Sequence, residues 1–555
     1  MKSLRSPAVP IWPDALYLIG CMAPAGAAPA VYLPSAQAMG FKAYNLLRMS
    51  SLGLPVPPAF AIGTAYCHDA AVSAAAAGPA IWRPGLDAVE RATGLQFGDA
   101  RLPLLLSVRS GAPVSMPGMM ETLLNIGLCD ATLPGFLRQT GNPRLVWDTY
   151  RRLVASYGEV VAGLPAALFE AQSAALFGAH DERELDFAAL RMLTRRCLDA
   201  YAHAAGVPFP QDPRAQLVGA IGAVFASWQS AKARAYRRQR DIPDAIGTAV
   251  TVQTMVYGNA GGRSGSGVGF TRDPVSGEPA LWIDFLFNAQ GEDVVSGRRN
   301  AYGHDALAAV LPTAWQALRE AAAGLEQEFG DMQDFEFTVQ DGQLYLLQTR
   351  SGKCAAQALA RIALDLCDAG VISPAVALQR TAALAPGDLV TVQTVSAEGQ
   401  PMTLVTPLAH AASAASGVAV GEIAFDETAA QARRAAGAQV VLVRRDADTG
   451  DIAALELAVG LLTQRGARTS HAAVVARQLG KVCLVGCADL EIDEAARTLR
   501  IGKTTLQEGS LLTLDGNDGS IYAGAVHTTT LPLVDLQDRL ARLRQAAGHP
   551  AAPPG

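Results

Sequence analysis

The sequence predicts a mixed α/β protein divided into several domains, and three observations predict it. The chain has 555 residues, half of them hydrophobic and only 17% charged, which is apolar material for roughly two to four separately packed cores. From residue 1 to about 355, strand-like and helix-like segments alternate, the pattern of mixed α/β architecture. A second alternating block runs from about Pro407 to Val526.

Composition narrows the function classes. A net charge of −6 and the lack of any Lys/Arg-rich run offer no basic field for nucleic acid, which is excluded as a partner. No stretch reaches the roughly 18 apolar residues of a membrane span. The apolar segment Ala15 to Val31, behind Lys2 and Arg5, is interrupted by Pro10, Pro13, Asp14 and Pro24 and reads as the first strand region of a cytoplasmic domain rather than a leader. The eight cysteines include no C-x-x-C. Cys483 and Cys487 lie about the apolar strand Val482–Val485 without a second pair to complete a zinc site, so free buried thiols in a reducing cytoplasm are expected.

Taken in order, the elements are these. The middle of the first block, from about Leu133 to Tyr236, reads as mainly helical, with Val146–Val161 and Leu217–Tyr236 carrying apolar residues at helical spacing. Ala355–Ala369 is a helix with Leu359, Ile362, Ala363 and Leu366 on one face and Gly370 as its stop. Thr381 to Pro407 reads as a connector. In the second block Val440–Val443 is a strand, and Leu531 to Gly555 is one charged amphipathic helix with a disordered tail.

The chemistry concentrates in four places. In Leu462-Thr463-Gln464-Arg465-Gly466-Ala467-Arg468-Thr469-Ser470-His471-Ala472-Ala473-Val474-Val475-Ala476-Arg477, good helix formers follow a Thr469 or Ser470 N-cap, and Gly480 ends the helix. His471 then falls in the first turn, where free N–H groups and the helix dipole favour an anion, and a neutral imidazole nitrogen is a competent nucleophile toward phosphorus. In Leu106-Ser107-Val108-Arg109-Ser110-Gly111, an apolar strand leads into Arg109 and a small-residue loop that an anion could approach. Gly258 to Pro274, rich in glycine and without a Walker A or Rossmann pattern, reads as a loop able to fold over a triphosphate.

The fourth is Asp331 to Arg350, a hairpin signal with Asp341-Gly342 at its turn. Asp334 and Glu336 share one strand face, as do Gln348 and Arg350. A two-residue loop would put the two pairs on opposite faces. A three-residue loop with Gly342 left-handed would bring all four together, carboxylates for magnesium and Arg for phosphate oxygens.

Together these segments resemble the pyruvate phosphate dikinase family, over roughly Phe41 to Val526. The likeness includes Ser227-Trp228, Tyr236-Arg237-Arg238, Asp241-Ile242-Pro243, Gly247-Thr248-Ala249-Val250 and the Met116-Pro117-Gly118-Met119-Met120-Glu121-Thr122 segment, which sets it apart from phosphoenolpyruvate synthases. The resemblance implies an ATP-grasp nucleotide-binding domain over 1–355 with a helical subdomain at about 133–236. It further implies a helical linker and connector over 356–406, a swivelling phosphohistidine domain over 407–526, and a C-terminal helix and tail over 527–555. It implies that His471 is the phosphorylated histidine, that Lys42 and Arg109 contact nucleotide phosphates, that Asp334, Glu336 and Gln348 lie at the Mg²⁺ and nucleotide site, and that Arg350 reaches the transferring phosphates. It implies ATP and inorganic phosphate as substrates. Thr469 matches a regulatory phosphorylation position, where added charge would repel ATP.

Departures from the family pattern are specific. Gly-Gly-Lys-Gly-Ala-Asn-Leu becomes Gly40-Phe41-Lys42-Ala43-Tyr44-Asn45-Leu46, and Gly-Gly-Met before Thr-Ser-His becomes Gly466-Ala467-Arg468. Val459 and Asp284 stand where the family has glutamate. Arg468 adds a cation that could stabilise the phosphohistidine or serve a different acceptor. After Val526 only a helix and tail are expected, not the family's (β/α)₈ pyruvate/phosphoenolpyruvate barrel. The expected activity is therefore the ATP/phosphate half-reaction, with the phosphoryl group passed to pyruvate on a separate chain. A different small-molecule acceptor is the first alternative, and a noncatalytic nucleotide-binding regulator the second.

Overall fold

The structure, a computed structural model, describes residues 11–12, 15–21, 34–67, 70–114, 116, 119–178, 184–295, 300–395, 406–447, 449–468 and 470–546. Helices and sheets are mixed throughout, as the alternation of apolar patterns predicts. The chain forms two compact units, one of 1–260 with 345–349 and one of 261–344 with 350–555.

The first unit is built on a six-stranded sheet in the order Ile11–Trp12, Leu16–Ile19, Ala59–Ile62, Ala249–Thr254, Leu106–Gly111, Thr122–Ile126. The predicted N-terminal strand region is realised at Leu16–Ile19, which pairs antiparallel with Ala59–Ile62; residues 1–10 and 22–33 lie outside the described residues. The helical middle is present as predicted. Pro143–Val160 starts behind Asn142, whose side chain accepts from Leu145 N, and Phe187–Ala205 behind Asp186, which accepts from Ala189 N. Each cap satisfies one otherwise orphaned N–H. Their apolar stripes, with Leu145, Leu153, Leu190 and Cys197, join one core with the sheet.

The second unit holds a four-stranded sheet in the order Trp282–Phe287, Gly265–Phe270, Gln333–Gln340, Gln343–Ser351; the middle of that last strand, 345–349, belongs with the first unit. The glycine-rich segment, read from sequence as a phosphate-covering loop, is a buried strand over Gly265–Phe270. The reason is packing. A Cβ on Gly265 would lie 2.1 Å from the Phe285 ring, on Gly267 2.5 Å from Phe337, and on Gly269 2.8 Å from Phe335. The glycines make room for aromatic rings on one sheet face. Gly267→Ala is expected to destabilise by about 2–3 kcal/mol, as overpacking does, read as a lower denaturation midpoint.

An eight-stranded sheet follows, ordered Ala409–His410, Ser520–Ala523, Leu511–Asp515, Val418–Ala424, Val440–Arg444, Gly460–Thr463, Val482–Val485, Ala412–Ala415. Its four strands from Val418–Ala424 to Val482–Val485 are parallel. Cys483 is fully buried there, and burial pushes its thiol up to about 12 and that of Cys487 to about 11, so neither offers a thiolate near neutral pH. All eight cysteines are free.

Two C-terminal expectations need correction. The connector contains a strand, Val390–Val395, paired antiparallel with His527–Pro532, and the final helix is confined to Val534–Ala546. The run Thr528-Thr529-Thr530 favours extended backbone and Pro532 donates no N–H, so the helix begins only after them. Residues 396–405 and the tail 547–555 lie outside the described residues. Among the described residues no helix is long and apolar enough to cross a membrane.

Candidate functional site

Lys42 enters the first unit at the start of the helix Phe41–Ser51, after Gly40. Gly40 has φ +73°, and a Cβ there would sit 1.7 Å from the Gly111 carbonyl oxygen. Phe41 N donates to the Ala112 carbonyl at 3.0 Å. The helix start is thus pressed against the end of Leu106–Gly111, the strand that carries Arg109. Arg109 Nη2 donates to Gln348 Oε1 and its Nη1 to the Leu347 carbonyl, both at 3.4 Å. Asn45, one turn beyond Lys42 and only 1% exposed, donates from Nδ2 to the Thr349 carbonyl at 2.7 Å. In the sequence Asn45 is signalled only as a polar side chain among the apolar residues Ala43, Leu46, Leu47 and Met49 of the helix's buried face.

In the second unit the hairpin turn decides the partners. Asp341 and Gly342 have φ +52° and +84°, and the strands end at Gln340 and resume at Gln343, so the turn has two residues with both φ values positive. By itself that geometry would place Asp334 opposite Thr349. Yet Gly352 N donates to the Met332 carbonyl at 2.9 Å, a pairing displaced by one residue. An extra residue has therefore entered the second strand, and the buried alternation of Leu344 and Leu346 gives way to adjacent buried Gln348 and Thr349. Asp334 falls opposite Arg350, whose Nε donates to Asp334 Oδ2 at 2.8 Å. Of the two loops the sequence leaves open, the two-residue one is present; Arg350 joins Asp334 through the bulge, and Gln348 accepts from Arg109.

Burial raises the Asp334 carboxyl above its ordinary value despite the opposing pull of Arg350, with Glu336 adding to the rise. Burial works against the charge of Arg350, but Asp334 and Glu336 outweigh it and its pKa is raised.

Cross-strand register places further groups on the same face. Phe270 stands opposite both Trp282 and Asp334, and Val268 opposite both Asp284 and Glu336. Directly opposed residues share a sheet face, so Trp282 and Asp284 lie two strands from the carboxylate pair, about 10 Å at the usual strand spacing.

His471 opens the helix His471–Gln478, with Ser470 as the N-cap accepting from Ala473 N. This helix connects the parallel strands Gly460–Thr463 and Val482–Val485, so its N-terminus emerges at the carboxyl end of a parallel strand, where such sheets bind ligands. Thr469 lies outside the described residues. Arg468 is engaged: its Nε donates to Asp284 Oδ1 at 3.1 Å, its Nη2 to the Ile283 carbonyl at 2.7 Å, and its guanidinium lies 4.2 Å from the Trp282 ring centroid.

Two carboxylates on alternate residues of one strand are oxygen donors suited to Mg²⁺, which is commonly bound through one or two carboxylates with substrate phosphates completing its shell. Among the described residues no group of three His, Cys, Asp or Glu converges as a cage for a metal.

The family model described as "Pyruvate phosphate dikinase, AMP/ATP-binding domain" matches residues 79–305, and "PEP-utilising enzyme, mobile domain" matches 437–519. The chain is 42% identical over 499 residues to pyruvate, phosphate dikinase of Clostridium symbiosum, covering 88% of this chain and 56% of that protein. It is 40% identical over 492 residues to pyruvate, phosphate dikinase 2 of Zea mays, covering 88% and 55%. With the Rhizobium meliloti enzyme it shares 40% over 506 residues, covering 88% and 56%. The chain spans about half the length of these relatives. With the nucleotide-binding model and the mobile-domain model matched in that order, and this identity running through both, the chain belongs to the pyruvate phosphate dikinase family.

Proposed function

We propose that this protein is an ATP-dependent phosphotransferase that runs the ATP/phosphate half-reaction of a pyruvate phosphate dikinase. His471 attacks the β-phosphorus of ATP and AMP leaves, giving a pyrophosphorylated histidine. Inorganic phosphate accepts the terminal phosphoryl group, releasing pyrophosphate and leaving phosphohistidine. The phosphoryl group then passes to pyruvate bound by a separate chain. Pyruvate and phosphate both stand in the relatives' printed name, pyruvate, phosphate dikinase.

The residues divide the work by charge. Lys42 and Arg109 hold phosphate oxygens, with Gln348 fixing Arg109. Arg350 neutralises the phosphoryl group as charge spreads over its oxygens, the kind of contribution that positioned cations make to phosphoryl transfer. Asp334 and Glu336, with Gln348, would hold Mg²⁺, which supplies further neutralisation of the phosphates when bound. Thr469 is carried as a regulatory position beside the acceptor. The domain division proposed is nucleotide-binding over 1–355, linker over 356–406, phosphohistidine domain over 407–526 and a C-terminal segment from 527 whose helix is Val534–Ala546.

The observation that carries this reading is the shared sheet face. Asp334 and Glu336 stand in the same cross-strand rows as Trp282 and Asp284, and Arg468, three residues before His471, is bound on those rows. A segment carrying a nucleophilic histidine therefore lies against the sheet that bears the carboxylates.

Incubation with ATP labelled at the β-phosphorus and Mg²⁺ should give an acid-labile phosphoenzyme and AMP, and His471→Ala should abolish both. Omitting phosphate should leave pyrophosphorylated enzyme. Label without AMP, or label surviving in His471→Ala, would refute the reading. Discharge of the isolated phosphoenzyme by another small molecule but not by pyruvate with a barrel-containing relative would move the acceptor to the alternative class. ATP binding with neither label nor AMP would make the protein a nucleotide-binding regulator.

A further inference from the structure

We propose that Trp282 and Asp284 form a docking seat for the segment that carries His471, and that Arg468 is the positioning residue that keeps it seated. The catalytic consequence rests on the phosphotransfer reading above, while the seat itself rests on distances. Both features are departures from the family pattern noted in the sequence, arginine for methionine and aspartate for glutamate, and they meet in space.

Arg468 makes three contacts to the Trp282–Phe287 strand. Its Nε donates to Asp284 Oδ1 at 3.1 Å, its Nη2 donates to the Ile283 carbonyl at 2.7 Å, and its guanidinium stacks 4.2 Å from the Trp282 ring centroid. The Asp284 side chain is only 4% exposed and that of Arg468 21%, so the pair is largely withdrawn from water, where charge-assisted hydrogen bonds are strong. The other contacts to this sheet are weaker in kind. Arg477 lies 5.3 Å from the Trp282 ring and 5.4 Å from Phe270, while its hydrogen bonds go to the Ala414 and Arg468 carbonyls, within its own part of the chain. Outside the sheet, Gly466 N donates to Asn300 Oδ1 at 3.2 Å.

Trp282 therefore receives two guanidinium groups that bracket His471 in sequence, and Asp284 accepts a hydrogen bond from the first of them, Arg468. A methionine at 468 could rest on Trp282 but could not engage Asp284. In this chain docking includes a charge pair, and a segment that must leave to deliver its phosphoryl group has to break it. Positioning by Arg468 raises the fraction of molecules whose His471 segment is seated on the sheet of Asp334 and Glu336.

The test compares wild type, Arg468→Met and the charge swap Arg468→Asp with Asp284→Arg. Single-turnover phosphorylation of His471 at saturating ATP should fall about ten-fold in Arg468→Met, with the ATP concentration dependence unchanged, and partly recover in the swap. Independently of catalysis, amide hydrogen exchange over 282–287 and 466–478 should quicken in Arg468→Met without a change in unfolding midpoint. Unchanged exchange overturns the seat. Faster exchange with an unchanged single-turnover rate overturns the positioning role. If wild type forms no phosphoenzyme, the phosphotransfer reading fails, and the exchange comparison still decides the seat.

Discussion

Arg350→Met is expected to slow ATP-dependent phosphorylation of His471 by roughly three orders of magnitude, the scale on which a cation placed at a transferring phosphoryl group acts. Its second expected effect separates this role from a simple loss of charge. Arg350 donates through Nε and Nη2 to the same Asp334 oxygen at 2.8 Å, and it is the main force holding down a carboxyl that burial raises, with Glu336 pushing the same way. Without Arg350 the Asp334 carboxyl rises further, so it becomes protonated at a higher pH and loses its affinity for Mg²⁺ there. The acid limb of the pH–rate profile should move upward in Arg350→Met, and higher Mg²⁺ should partly pull it back. The sign for folding is opposite. A carboxyl whose folded pKa is raised contributes stability that is fully present below its unfolded value of 3.8 and lost as pH rises through the folded value. Arg350→Met should therefore lose more stability between those two values than wild type does. A profile lowered in height but unmoved along the pH axis would show that Arg350 does not set the protonation of Asp334.

That coupling was half legible in the sequence. The Asp341-Gly342 turn and the alternation of Asp334 and Glu336 identified the hairpin and its polar face, because turn chemistry and period-two patterning are local properties. The bulge that brings Arg350 across from Asp334 is not local. It depends on where the second strand is held along its length, and no residue type in Tyr345–Thr349 announces it. The glycine-rich strand failed for a related reason. Gly265, Gly267 and Gly269 read as loop because glycine weakens strands, and the compensating partners, Phe285, Phe335 and Phe337, come from two other strands. The helix at His471 was read almost to the residue, since its cap, its alanine-rich body and Gly480 are all within one short window. The engagement of Arg468 by Asp284 was invisible for want of any link between two positions 184 residues apart.

Gly40→Ala is expected to be the most disruptive single methyl group in the first unit. Of the three glycines in the family's Gly-Gly-Lys-Gly, this chain keeps only the first, and the structure supplies the reason. Phe41 and Ala43 occupy helical positions of Phe41–Ser51, where any L-residue is allowed, and Ala43 fills buried space. Gly40 has φ +73° and ψ 152°, a region essentially reserved for glycine that costs other residues about 1–3 kcal/mol. Its Cβ would also lie 1.7 Å from a backbone oxygen of Gly111, which cannot rotate away as a side chain could. The helix start that carries Lys42 must therefore separate from the strand end beyond Arg109. Loss of about 3 kcal/mol or more is expected from strain and overpacking together, with the ATP KM raised at least about ten-fold as the two cations proposed to hold phosphate lose their spacing. Ala43→Gly restores the family residue at the third position and should cost only about 1 kcal/mol, the helical penalty of glycine, with the KM little changed. The opposite ranking would mean that phosphate approach in this chain depends on backbone room at 43 and not on the contact between Gly40 and Gly111.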